Sequence, residues 1–313
     1  MIQTVTGEIS KKEISGNALI HEHICCVSND MLHAFGKRWL DKEELLRHAA
    51  KILTDMKNKY SLDLLVDATP IDLGRDVKLL KRISELTGVK IVASSGLYMY
   101  SSMVTLSNVE EDIADWFYDE CVRGMENSEI LPGILKCAAD NSNIAEENEK
   151  RIGAMARVQA KTGLPIYLHT LHQGDSAIKA LKIMLSRGAD PKKIIIGHFD
   201  DTFTYDYARI FLDQGCRISI DRCNYKETYA EQVAKMLIIL HEAGYGEQLL
   251  LSNDACLYSD FCRPGSKWVD SENLKSSIAY AFEEVKNKFI SFGANIGDYE
   301  KMISKNVLEA IDT

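Results

Sequence analysis

Short apolar runs bounded by Gly, Pro, Asp or Ser recur along the chain, with longer amphipathic stretches between them. The runs are NALIHEH (17–23), LDLLVDAT (62–69), VKIVASSG (89–96), PGILKCAA (132–139), LPIYLHT (164–170), KIIIGH (193–198), CRISID (216–221) and QLLLSND (248–254). Their length predicts strands, and their nearly unbroken apolarity predicts strands buried on both faces. The stretches between them, such as DKEELLRHAAKILTDMKNKY, NVEEDIADWFYDEC, AEENEKRIGAMARVQAKTG and TYAEQVAKMLIILHEAG, carry helical spacing, and several end at Gly as helix C-termini do. Eight strands alternating with helices predict an α/β fold, a closed (β/α)8 TIM barrel. A doubly wound open sheet competes, but it usually has fewer strands and a Gly-rich phosphate turn after the first, which this chain lacks.

The chain has 313 residues and neither a low-complexity linker nor an internal repeat, so a single domain over 1–313 is the simplest organisation. Residues 1–16 and about 291–313 are expected as short decorations outside the barrel, the tail carrying a last helix in IGDYEKMISKNVLEAI. Hydrophobic residues make up 46% and charged ones 27%, which suits a packed core rather than disorder. The net charge of −9 is interspersed with positive residues, which argues against nucleic acid or a membrane surface as partner. The start MIQTVTGEISKKEIS lacks a signal-peptide pattern and no apolar run could span a bilayer, so a soluble cytoplasmic protein is expected. Eight cysteines at 25, 26, 121, 137, 216, 223, 256 and 262, with no C-x-x-C pair, read as reduced thiols. A small-molecule partner and a homodimeric assembly are the default expectations for a soluble globular protein of this kind.

Polar residues fall on these strands in a telling way. Successive strand side chains alternate faces, so His21 and His23 point to one side and Glu22 to the other. Two histidines on one face at a strand end can chelate a divalent cation; they can equally be two satisfied core histidines. Four other strand ends carry Lys136, His169, His198 and Asp254. In a parallel barrel all the C-terminal strand ends meet at one rim, where active sites of this fold lie. Four histidines, a carboxylate and a lysine would then share one mouth. Burying the lysine is costly unless it pairs with an acid such as Asp67 or Asp254, or is carboxylated by CO2 to an anion able to bridge two metal ions.

The order H-x-H, GILKCA, LHT, GHFDD and LSNDA resembles the phosphotriesterase family of the amidohydrolase superfamily, while SGLYMY and IDRCNY resemble its phosphotriesterase-like lactonase branch. The opening TVTGEI and the stretch DATPIDLGRDVKLLKRISELTGVKIVASSGLYMY (67–100) resemble the same family, so the likeness covers essentially the whole chain. The resemblance implies a binuclear centre at the C-terminal ends of the strands. His21, His23 and Asp254 would hold the more buried metal, His169 and His198 the more exposed one, and carboxylated Lys136 would bridge them together with a hydroxide. Zn is the default metal, with Mn or Co as substitutes. Tyr98 in SGLYMY matches a tyrosine beside the exposed metal in the lactonase branch, and Arg222 in IDRCNY matches an arginine bordering its substrate pocket. The family's last strand usually reads Ser-His-Asp-Ala, whereas this chain has Ser252, Asn253 and Asp254, which puts any role of that histidine in doubt.

Asp254 is the candidate acid-base group and Tyr98 the candidate oxyanion donor. Tyr98 could instead fill the pocket wall, and Arg222 could pair with Asp221. The loop ACLYSDFCRPGSKWVDSE (255–272) brings Arg263 and Lys267, and Lys226 follows the seventh strand; these cations would suit a phosphate on the substrate, or could pair with Asp260, Asp270 and Glu272. Cys25, Cys26, Cys137, Cys223, Cys256 and Cys262 lie near strand ends and read as packing residues, while His172 is placed to face the substrate. The expected activity is hydrolysis of a small lactone, including phosphorylated sugar lactones. Alternatives are a phosphotriester, phosphoester or small-amide hydrolase, a non-catalytic metal-binding barrel, and a nucleotide-dependent α/β enzyme. Fold alone does not choose among them.

Overall fold

The computed structural model describes residues 1–139, 144–170, 175–202, 204–222, 229–261, 268–274 and 277–313. A hairpin of β1 (Ile2–Thr4) and β2 (Gly7–Ile9) precedes β3 (Asn17–Glu22), β4 (Leu62–Asp67), β5 (Lys90–Gly96), β6 (Ile134–Ala139), β7 (Ile166–Thr170), β8 (Ile194–Ile196), β9 (Arg217–Ile220) and β10 (Leu249–Leu251). From β3 to β10 each strand pairs in parallel with the next, in chain order. The ring is closed beyond the end of β10, where Asp254 N donates to His21 O (3.1 Å), His23 N to Ala255 O (2.9 Å) and Leu257 N to His23 O (2.8 Å). The expected (β/α)8 barrel is therefore what the chain forms.

The helices are α1 (Asn29–Phe35), α2 (Lys42–Tyr60), α3 (Val77–Thr87), α4 (Met103–Ser107), α5 (Glu110–Arg123), α6 (Glu146–Thr162), α7 (Ser176–Ser186), α8 (Tyr205–Leu212), α9 (Tyr229–Leu240), α10 (Lys286–Ser291), α11 (Ile296–Met302) and α12 (Lys305–Ile311). Their ends follow from local chemistry. Asp41 and Asp76 cap α2 and α3 by accepting from Glu43 N and Leu79 N, and α3 and α6 stop at Gly88 and Gly163 in the left-handed region. Leu45, Ala49, Ile52, Leu53 and Met56 of α2 form one buried stripe against the sheet.

Two apolar layers result. Between helices and strands lie residues such as Leu19, Leu65, Ile91, Leu135, Leu168 and Ile218. Inside the ring lie Ala18, Ile20, Leu64, Val66, Val92, Ile134, Tyr167, Ile195 and Leu250. The terminal segments are not decorations outside the barrel. Ile2 and Ile14 from the N-terminus and Val307, Ala310 and Ile311 of α12 belong to the inner layer and plug its N-terminal end. The expected single tail helix is two, α11 and α12, and the chain ends meet where Thr313 N donates to Met1 O (3.0 Å).

One irregularity shapes the site. Between Leu19 and Glu22 the β3–β4 register gains a residue on β3, since Leu19 faces Leu65 and Glu22 faces Asp67. This bulge lets Ile20 fill the inner core while His21 also turns inward. Among the described residues no helix is long and apolar enough to cross a membrane.

Candidate metal centre

The inner layer of apolar side chains is the floor on which the polar cluster stands. Alternation along β6 turns Ile134 and Lys136 inward and Leu135 and Cys137 outward, and along β7 it places His169 directly above Tyr167. His21 Nε2 lies 3.1 Å from His23 Nε2. Asp254 Oδ1 approaches the same two atoms at 3.5 and 3.3 Å. His198 Nε2 lies 2.7 Å from His169 Nδ1, and Asp254 Oδ2 is 3.8 Å from His198 Nδ1. His21, His23, Lys136, His169, His198 and Asp254 thus converge as expected, and all are buried except Asp254, whose side chain is 12% exposed. His198 and Asp254 hold left-handed backbones, φ 57° and 50°, a conformation that non-glycine residues keep mainly where surrounding structure enforces it.

The far edge of each imidazole decides what its near edge can do. His21 Nδ1 bonds Asp221 Oδ2 (3.0 Å), His198 Nδ1 bonds Asp221 Oδ1 (2.7 Å) and His23 Nδ1 bonds Thr69 Oγ1 (2.8 Å). With protons on Nδ1, the Nε2 lone pairs of His21 and His23 face one another, an arrangement that a shared cation satisfies. Burial, then the charge on Lys136, holds His21 well below the ordinary imidazole value, and burial with His169 does the same for His198. Neutral imidazole is the ligating form. His21, His23 and Asp254 can hold a metal ion in common. Asp221 also comes within ligand range of His21 and His198, but it meets their Nδ1 edges and is bonded further by Tyr167 Oη and Ser219 Oγ, so it orients the imidazoles.

Lys136 Nζ lies 3.0 Å from His21 Nε2 and 4.4 Å from the centre of the Tyr167 ring. It forms no direct ion pair with Asp67, whose oxygens accept instead from Ile24 N (2.8 Å) and Thr69 N (3.0 Å). Burial holds the Lys136 ammonium down to about 8, against the pull of Asp254 and Asp221. Burial would raise Asp254, but the hydrogen bond and charge of His23, with Arg222 and Lys136, leave it below the ordinary carboxylate value.

Tyr98 Oη lies 3.0 Å from His169 Nε2, and Arg222 Nε donates to Asp254 Oδ2 at 3.3 Å. Arg222 therefore contacts the acid-base candidate Asp254, and its own backbone N donates to Asp200 Oδ2 (2.9 Å). Glu22, between the two histidines, faces away from them as expected. Its Oε1 accepts from Ser252 Oγ (2.9 Å), Asn253 N (2.8 Å) and Asn253 Nδ2 (3.1 Å), and its Oε2 from Ala255 N (2.7 Å). One carboxylate thus fixes the segment that carries Asp254. Asn253, where the family usually has histidine, completes the tie by donating to Ile278 O (2.7 Å) and accepting from Ala281 N (2.9 Å).

The substrate-binding candidates Arg263, Lys267 and Lys226 lie outside the described residues, as do His172, Cys223 and Cys262. Asp260 is engaged by Ser28 N and Trp39 Nε1 (2.6 Å), and Trp268 stacks edge-on with His48 and Tyr258. Cys25, Cys26 and Cys137 are buried free thiols and Cys256 is partly buried. The sequence reading missed Asp221, Thr69 and Asp200 as supports of the cluster. Asp221 stands at a strand end like the ligands themselves, so the same rule could have found it.

Fold and cluster together define a barrel equipped to hold divalent cations at its C-terminal mouth. The chain belongs to the phosphotriesterase family, whose model matches residues 1–305, and it is a hydrolase of that family with candidate metal-binding residues. It is 28% identical over 279 residues to an aryldialkylphosphatase of Saccharolobus solfataricus, covering 88% of each chain. It is 27% identical over 271 residues to a phosphotriesterase homology protein of Mycobacterium tuberculosis, covering 83% of this chain and 82% of the other. It is also 24% identical over 293 residues to an N-acetyltaurine hydrolase of Xenopus tropicalis, covering 81% and 83%.

Proposed function

We propose that the protein is a binuclear metal-dependent lactonase that opens small lactones, phosphorylated sugar lactones among them. The observation that carries this reading is the Tyr98 hydroxyl beside His169, 3.0 Å from Nε2. His21, His23 and Asp254 would hold one ion, His169 and His198 the other, and carboxylated Lys136 would bridge them. Among the described residues no carboxylate is hydrogen-bonded to this lysine, and burial brings its ammonium down to about 8, which raises the share of the neutral amine that CO2 requires. Zn is the expected metal, and when bound such ions polarise a carbonyl and make water acidic enough to attack at neutral pH.

The chain's own groups complete the chemistry. Asp254 accepts the proton of the attacking water and delivers it to the ring oxygen as the acyl carbon–oxygen bond breaks, giving a carboxylate and a free hydroxyl. Arg222, bonded to Asp254 Oδ2, keeps that carboxylate ionised and aimed. Tyr98 donates to the oxygen on which charge develops. Buried Glu22 and Asp221 hold the reacting groups so that little reorganisation accompanies the step.

The relatives favour a second reading within the same centre. Names such as aryldialkylphosphatase and N-acetyltaurine hydrolase point to phosphotriester and amide hydrolysis. A substrate panel separates them: acid release is followed for γ-lactones with and without phosphate, a dialkyl aryl phosphate and an N-acyl taurine, beside Asp254→Asn. Lactones turned over fastest, with a loss of about 10²-fold or more in the variant, support the proposal. Faster turnover of the phosphotriester or the amide overturns the lactone assignment and leaves the hydrolase.

A further inference from the structure

The segment that carries Tyr98 has no regular structure, yet its backbone is tied down residue by residue. β5 ends at Gly96, φ +122°, where a Cβ would lie 2.1 Å from Lys136 O, and Leu97 N donates to that same oxygen at 3.2 Å. Tyr98 N donates to both carboxylate oxygens of Asp72, at 2.8 and 3.0 Å. The carbonyls of Met99 and Tyr100 accept from Arg151 Nη2 (3.0 Å) and Nη1 (2.8 Å). Glu147 accepts from Ser101 Oγ (2.6 Å) and Ser102 N (3.2 Å), and pairs with Arg151 at 2.9 Å.

The three side chains come from two separate places, Asp72 from the turn Ile71–Leu73 after β4 and both Glu147 and Arg151 from α6. Arg151 is 3% exposed. Desolvating a guanidinium so that it can reach backbone carbonyls is a poor way to gain stability. Asp72 shows the same tension, since burial pushes its carboxyl up to about 6 although Tyr98 N, Arg151 and Arg75 pull it down. Two charges held at such cost, both against the backbone of one short loop, serve the position of that loop.

We infer that Asp72 and Arg151, with Glu147 behind them, are positioning residues that hold the Tyr98 hydroxyl at His169 by clamping the backbone of residues 98–102. The catalytic part of this inference rests on the reading of Tyr98 as the oxyanion donor; the structural part does not. Misplacing such a donor by about 1 Å can cost on the order of 10²-fold in rate.

The first test is hydrogen–deuterium exchange on the full-length, metal-loaded protein. Asp72→Ala and Arg151→Met should each speed exchange in 97–102 at least tenfold while β6 and β7 exchange as before. Asp72→Asn, which keeps an acceptor for Tyr98 N, should change it less. The second test is a double-mutant cycle with Tyr98→Phe on the best substrate of the panel. Asp72→Ala should lower kcat about tenfold or more with KM and metal content little changed, and should add less than twofold in the Tyr98→Phe background. Unchanged exchange in 97–102 overturns the clamp, and an equal loss in both backgrounds shows that Asp72 acts generally rather than through Tyr98. If Tyr98→Phe alone costs nothing, the oxyanion role of Tyr98 fails and the exchange result still decides the clamp. Should Asp72→Ala not fold, Asp72→Asn and Arg151→Lys carry both measurements, and wild-type exchange and kcat in both variants would overturn the inference.

Discussion

Replacing Asp221 by Asn tests the logic of the metal centre without touching a ligand. Asp221 accepts from His21 Nδ1 at 3.0 Å and from His198 Nδ1 at 2.7 Å, so one carboxylate fixes the tautomer of an imidazole in each half of the cluster. An asparagine has one carbonyl oxygen. Whichever histidine meets the amide nitrogen must place its proton on Nε2, which removes the lone pair it offers to a cation. Loss of such a support costs about 10–100-fold in metal affinity, or about 1.4–2.7 kcal/mol, and it should fall mainly on one ion. The assay is competition between metal-free protein and a chromophoric chelator for Zn. Ser219→Ala is the control, since it removes a hydrogen bond to Asp221 Oδ2 (3.0 Å) without altering either tautomer, and it should stay close to wild type. Wild-type affinity for both ions in Asp221→Asn would refute the reasoning.

Other expectations follow from individual contacts. Lys136→Met should leave a folded protein that binds one ion per chain by elemental analysis; two tightly bound ions would rule out a bridging role. In the native protein Asp72 retains, up to pH about 6, a proton that the unfolded chain has lost above 3.8. Its contribution is therefore destabilising as pH rises through that window, by at most about 3 kcal/mol, and urea unfolding at pH 4.5, 5.5 and 6.5 should show a shallower decline in Asp72→Asn than in wild type. A Cβ at residue 197 would lie 2.4 Å from Tyr167 Cε1, so Gly197→Ala should lower stability by about 1–3 kcal/mol and weaken Zn binding through the displaced Tyr167–Asp221 contact. Full stability in denaturant would show that the floor of the barrel yields.

Much of this arrangement was legible in the sequence because a buried parallel strand is nearly all apolar, so a polar residue at its end stands out. Lys136, His169, His198 and Asp254 stand out that way, and the structure gathers them with His21 and His23. The bulge in β3 was not legible, since Leu19, Ile20 and His21 read equally well as a regular strand. Nor was the floor plug: Ile2 and Ile14 have no periodicity of their own, and only the closed ring gives them an apolar face to cover. The supports were hidden for a related reason. Glu22 and Asp221 read as polar residues at strand ends, and their partners at 252–255 and at His198 are remote in sequence. The apolar runs extend two residues past the end of β8 and three past the end of β10, where His198 and Asp254 leave extended conformation for positive φ.

The most direct measurement of the central claim is to titrate the metal-free protein with Zn in bicarbonate buffer while following lactone opening by pH-stat. Activity rising to a plateau at two equivalents of Zn per chain, with Asp254→Asn binding the metal yet staying inactive, is the expected result. A plateau at one equivalent, or opening that proceeds in Asp254→Asn at the wild-type rate, would contradict a binuclear hydrolytic centre built on these residues.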